Sequence, residues 1–212
     1  MKKLTLLFFA SILVFYSYAS DKKYESAMQS AIDILYANKS LEDLQKAVTQ
    51  FERISQAETD KWLPSYYAAL GYVWMTHKVE DVTRYDQFLD EAQKHLDNCK
   101  GLTEVEDEIA TLQGYIYMMR IPVDPPSRGA QYSPMSYGEL QKALTINAEN
   151  PRALLLMGQM KYGTDQFFGN DLSEACNMLK SAAQKFENEQ PIDKLSPSWG
   201  KSMAQYLSQN CQ

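Results

Sequence analysis

Apolar residues recur at i, i+3 and i+4 along most of this chain, and period-2 alternation over β-branched residues is nearly absent. In LEDLQKAVTQFERI, the residues Leu41, Leu44, Val48, Phe51 and Ile54 fall on one helical face. The same spacing predicts helices over 22–37, 62–78, 84–99, 104–120, 135–147, 151–163, 171–187 and 198–210. Start signals agree with several of them. Ser40 precedes Glu42 and Asp43, Asp171 and Ser173 precede Glu174, and Pro151 suits a first helical turn. One stretch breaks the pattern. Residues 4–16, LTLLFFASILVFY, are almost uniformly apolar, follow Lys2 and Lys3, and run into Ser17-Tyr18-Ala19. That is the layout of a secretory signal peptide cut after Ala19. The run is shorter than the roughly 20 residues a membrane span needs. No cysteine follows the cut, so no lipid anchor is expected, and the mature chain has no integral membrane segment.

The helices repeat. Gly71, Gly114 and Gly158 lie in YYAALGYVW, ATLQGYIY and ALLLMGQMKY, spaced 43 and 44 residues apart. A second element, a small residue followed one turn later by a large one, recurs as Ala47/Phe51, Ala92/Leu96, Ser136/Leu140 and Ala175/Leu179. Small residues let helix backbones approach, and the large ones fill the space beside them. Tyr67, Leu70, Gly71 and Trp74, then Ala92, Leu96 and Cys99, and the run from Leu140 through Asn150-Pro151 to Gly158 resemble the tetratricopeptide (TPR) repeat family. The resemblance covers about residues 22 to 190. It implies an all-α, TPR-like helical-hairpin solenoid of about four helix pairs plus a C-terminal capping helix. The expected organisation is a signal peptide over 1–19, repeats over 20–190 and a capping element over 191–212. The distance from each glycine to the next small residue is 21, 22 and 17 residues. That exceeds the TPR unit's spacing of about 12, so long loops are expected near 77–86, 121–134 and 162–171, on one edge of the array.

Charge narrows the partners. The chain carries 21 basic and 27 acidic residues, and loss of Lys2 and Lys3 takes the formal charge from −6 to −8. With no basic patch or basic run, nucleic acid and anionic membrane surfaces are poor partners. No catalytic signature stands out, and neither an enzyme activity nor a cofactor is expected. His77 and His95 have no ligand spacing, His95 reads as a helix-surface residue, and the acidic run from Glu104 to Glu108 reads as a solvated helix start.

Cys176 near the start of one helix and Cys211 at the end of the next lie at similar distances from the turn between them. Antiparallel packing would bring them together as a disulfide, leaving Cys99 as a buried free thiol. Trp199, Met203 and Leu207 form a stripe suited to covering the last repeat, with ligand binding by Trp199 as the alternative. The TPR resemblance implies a concave groove that takes a peptide or helix. Its facing residues would be Tyr72, Met75, Thr76, Tyr115, Met118, Met119, Gln159, Tyr162 and Gly163, an uncharged, aromatic and methionine-rich set. The alternative is that the long loops fill it. Arg120, Arg128 and Tyr132, with Phe167 and Phe168, form a second candidate surface on the looped edge. The resulting expectation is a non-catalytic, exported protein-interaction or scaffold module, periplasmic in a Gram-negative bacterium, with a protein or peptide partner. The alternative is a small-ligand or glycan-binding accessory protein.

Overall fold

The computed structural model describes residues 21–102 and 105–211. The proposed signal peptide and Glu104 lie outside the described residues. All regular structure among them is helical: α1 (residues 21–37), α2 (Leu41–Ala57), α3 (Leu63–Thr76), α4 (Tyr85–Asp97), α5 (Glu106–Arg120), α6 (Pro125–Ile146), α7 (Pro151–Phe168), α8 (Ser173–Asn188) and α9 (Lys201–Asn210). Helices adjacent in sequence pack on one another, most closely α2 with α3, α3 with α4, α5 with α6 and α7 with α8. Caps follow their chemistry. The Ser40 and Asn150 side chains accept from the Asp43 and Ala153 amides at the starts of α2 and α7.

The repeat glycines sit where helix backbones approach. A Cβ on Gly114 would lie 2.7 Å from Leu140 Cγ and 3.3 Å from the Ser136 carbonyl, whose own side chain donates to the Gly114 carbonyl. One on Gly158 would lie 3.0 Å from Leu179. Gly71 differs: it faces Val48 and Leu35 on the preceding helices, not Ala92 and Leu96 on the following one. Gly114→Ala should therefore cost about 1–3 kcal/mol by overpacking, read from urea denaturation. Gly138→Ala, with open space beside it, should not lower stability.

The inserts lengthen helices instead of forming three long loops. Residues 125–134, expected in a loop, belong to α6, after a short 3-10 turn over Ile121–Val123. Pro125 and Pro126 occupy the first turn, where a missing N–H costs nothing. Pro134 lies inside the helix but on its exposed side, and Ala130, whose carbonyl it frees, is exposed too. Likewise α7 continues through Tyr162 to Phe168 and stops at Gly169, whose φ of 70° is the left-handed closing conformation. Only 77–81 and a 3-10 turn over Val82–Arg84 remain of the first expected loop.

The C-terminal end departs most from a simple cap. α9 begins at Lys201, and residues 189–200 are irregular and cross back to the first helices. Leu195 and Trp199 enter the main core, which α1–α5 build together with Leu140 of α6 and Leu156, Met157 and Met160 of α7. The expected Trp199–Met203–Leu207 stripe is therefore corrected. Trp199 precedes the helix, Met203 is 50% exposed, and Ala204, Leu207 and Cys211 face Leu155, Leu179 and Phe186. Gly200 makes the change of direction possible. Its φ is 101°, and a Cβ there would meet Phe186 at 2.8 Å. The disulfide Cys176–Cys211 is present, tying α9 to α8. Cys99 is free and buried, and burial pushes its thiol up to about 12.

Candidate functional site

The returning C-terminal segment supplies one side of a cleft whose other residues come from, or lie just past, α1, α3, α5 and α7. The cleft volume is about 560 Å³, within the ~300–1,000 Å³ range of small-molecule sites. Four aromatic side chains line it, supplied by elements far apart in sequence. Tyr36 of α1 and Trp74 of α3 lie with centroids 5.9 Å apart, and Tyr115 of α5 stacks on Trp199 at 5.8 Å. Leu155, Leu156 and Gln159 of α7 form another part of the wall. His77 and Lys78, just past the end of α3, complete it beside Lys201 and Met203.

Hydrogen bonds hold the returning segment in place. The Ser198 amide donates to the Tyr36 hydroxyl at 3.0 Å, and the Tyr67 hydroxyl donates to the Leu195 carbonyl at 2.7 Å. Trp199 Nε1 donates to the Tyr66 hydroxyl at 2.9 Å, which in turn donates to Glu108 Oε2 at 3.0 Å. Glu108 then pairs with Arg152 Nε at 2.9 Å, and Arg152 reaches on to Glu189 at the start of the segment. Asn150 donates to both Glu108 and Asp107. Burial raises the Glu108 carboxyl above its ordinary value, opposed by the Arg152 guanidinium. The acidic run is thus not a wholly solvated helix start. Asp107 and Glu108 are buried, because Tyr66 of α3, Asn147 and Asn150 between α6 and α7, and Arg152 of α7 converge on them.

Within the cleft, His77 Nε2 and the Tyr115 hydroxyl share a hydrogen bond of 2.9 Å. Desolvation, and then the neighbouring Lys78 charge, lower the His77 pKa below its ordinary value. Among the described residues no group of His, Cys, Asp or Glu could hold a metal ion on its own. A second, larger hollow of about 1000 Å³ lies between α1 and Asp193–Leu195, but its lining is of mixed charge with Tyr24 as its one ring.

Of the expected groove residues, Tyr115 and Gln159 line the cleft. Both directly follow a repeat glycine that packs on the next helix. Tyr72 follows the differently packed Gly71, and it turns away to donate to Glu52 and stack on His95 at 5.6 Å. His95 is accordingly half-buried between Tyr72 and Glu52, not a free surface residue. Met75, Thr76 and Met119 are buried in the helix packing, and Met118 packs against the core. Position i+4 shares the glycine's own face, so Met75 and Met118 follow their glycines into the helix contacts. Tyr162 is half-buried and Gly163 exposed, and neither reaches the cleft. Residues 198–203 of the C-terminal segment line the cleft, as do His77 and Lys78 at the start of the first expected loop.

The structure brings Arg120, Arg128 and Tyr132 together, but in internal contacts. Arg128 grips Asp86 with two hydrogen bonds, Nη1 at 2.8 Å and Nη2 at 2.7 Å. Arg120 bridges Asp86 and Asp90, with its guanidinium 6.0 Å from the Tyr132 ring. The hydrogen bonds from Arg128 hold the Asp86 carboxyl below its ordinary value. These arginines tie α4, α5 and α6 together. Phe167 and Phe168 form a separate pair at the end of α7, 74% and 69% exposed and edge-on at 5.0 Å.

Sequence reasoning missed Tyr36, Trp74 and Lys78, and weighed His77 only as a metal ligand. The available signal was local: WMTHK places an aromatic ring, a histidine and a lysine within five residues at a helix end. No helix among the described residues is long and apolar enough to cross a membrane. No family model and no curated protein matches the chain. Among solved structures, the chain is similar in fold to the HusA haemophore from Porphyromonas gingivalis, with a TM-score of 0.80 and 24% identity over 89% of this chain and 92% of that one.

Proposed function

We propose that this chain is an exported, non-catalytic binding protein for a flat, largely apolar small molecule of the porphyrin class, held in the cleft between Trp74 and Trp199. The observation that carries this reading is the cleft itself: about 560 Å³, lined by Tyr36, Trp74, Tyr115 and Trp199. Flat aromatic side chains offer a ring system large contact area with little loss of side-chain freedom. The fold likeness to a protein named as a haemophore supports the ligand class, because haem is such a ring. Export is supported by the signal-like N-terminus and by the disulfide, which suits an oxidising compartment. The repeat glycines at Gly114 and Gly158 support a TPR-like origin for the helix pairs. A groove-bound peptide is favoured less, since Leu195 and Trp199 of this chain already pack against the helices that would receive it.

Titration with haemin and with metal-free protoporphyrin IX tests the reading. Two of the three tryptophans line the cleft. Saturable quenching of tryptophan fluorescence at one equivalent is expected, with a shift of the porphyrin absorbance band. Trp74→Ala should weaken binding by roughly tenfold or more, since one aromatic stack contributes about 1–3 kcal/mol. Absence of saturable quenching by either compound would remove the proposal.

A further inference from the structure

The charge pattern of the cleft says more about its ligand than its shape does. The protein is acidic, with a formal charge of −6 over the full sequence. Yet no carboxylate lines the cleft; its charged lining residues are Lys78 and Lys201. The pKa of His77, the remaining titratable nitrogen there, is lowered by desolvation and by the Lys78 charge, which disfavours a third positive charge. The two lysines are not equivalent. Lys201 is already paired with Glu187 at 3.0 Å, which compensates its charge. Lys78 donates to the Asn38 backbone carbonyl at 2.8 Å, a neutral acceptor. That bond sets the ammonium at the end of α1, beside Tyr36 and Trp74, without neutralising it.

We infer that Lys78 receives an ionised carboxylate carried on the edge of the cleft's ligand, so that the site selects flat rings with free acid groups over their neutral esters. The inference rests on the ligand-binding reading above and adds a polar end to it. An ammonium with three donors spends one on Asn38 and keeps two. A carboxylate at the rim would accept a charge-assisted hydrogen bond there while the ring lies against the aromatic side chains. A structural role alone predicts something different. The bond to Asn38 needs a donor and no charge, so glutamine could replace the lysine.

Protoporphyrin IX and its dimethyl ester, titrated separately into the full protein and into Lys78→Gln, separate these roles. Loss of the charge should weaken binding of the diacid by roughly tenfold, the size expected for one charge-assisted hydrogen bond. Ester affinity should fall much less. Lys78→Arg should keep most of the preference for the diacid. Added salt should weaken diacid binding in the wild-type chain and much less in Lys78→Gln. Equal weakening of both compounds, or no change in either, overturns the assignment while leaving the ligand-binding reading in place. Failure of the wild-type chain to bind either compound removes that reading, and the role of Lys78 with it.

Discussion

Arg152→Ala should destabilise the protein by about 3–5 kcal/mol, because it leaves Glu108 buried without its counter-charge. Both side chains are almost fully enclosed, at 6% and 5% exposure. For a chain of this size, that loss lowers the melting temperature by roughly 6–20 °C. The cost is not the value of one salt bridge in isolation. Arg152 also bonds Glu189, and Glu108 accepts from Tyr66 and Asn150, so one truncation strands several groups. Glu108→Gln should cost less than Arg152→Ala, since the amide retains hydrogen-bonding capacity without a buried charge. The double variant should be clearly less damaged than the sum of the two single ones, because the residues share one network. Thermal and urea denaturation measure both effects. Strict additivity, or a loss below about 1 kcal/mol for Arg152→Ala, would show that water reaches the pair and supports it.

That network marks where local pattern stopped being informative. Helix positions were legible because a 3.6-residue period is a local signal, and α2 follows it residue by residue from Leu41 to Ile54. The glycine repeat was legible for a similar reason. Gly114 and Gly158 report the close approach of a helix only about twenty residues further along. Loop lengths were not legible. PVDPPSRGAQYSP carries helix-breaking residues, but its prolines fall at a first turn and on an exposed face, while Arg128 and Tyr132 fasten it to α4 and α5. Tertiary contacts there override local propensity. The cleft was least legible of all. Trp199 meets Tyr66 across 133 residues and Ser198 meets Tyr36 across 162, and no repeat rule encodes a segment that returns to the first helices. Tyr115 and Gln159, which inherit their direction from a repeat glycine, could be placed in advance, whereas Trp199 was a candidate ligand residue with no place assigned beside them.

Removal of the Cys176–Cys211 bridge should be the other large effect, and it should weaken the cleft as well as the fold. The cysteines are 35 residues apart, and the chain-entropy estimate for a loop of that length is about 4 kcal/mol. α9 depends on the bridge more than longer helices would. It has ten residues, begins after a left-handed glycine with no side-chain cap, and has Ala204 as its one buried residue. A helix that short is marginal without tertiary attachment. Its start continues directly from Trp199 and Gly200, so fraying of α9 releases one aromatic wall of the cleft together with Lys201 and Met203. Cys176→Ala/Cys211→Ala should therefore lower the urea midpoint and also reduce porphyrin affinity, although neither cysteine lines the cleft. Cys99 provides an internal check, since its buried thiol, pushed up to about 12, should resist alkylation in the folded protein. Reduction followed by alkylation under native conditions should then label two thiols and leave the third. Full stability and unchanged ligand affinity in the double variant would mean that Leu195, Trp199 and the Tyr66 hydrogen bond hold the segment without the bridge.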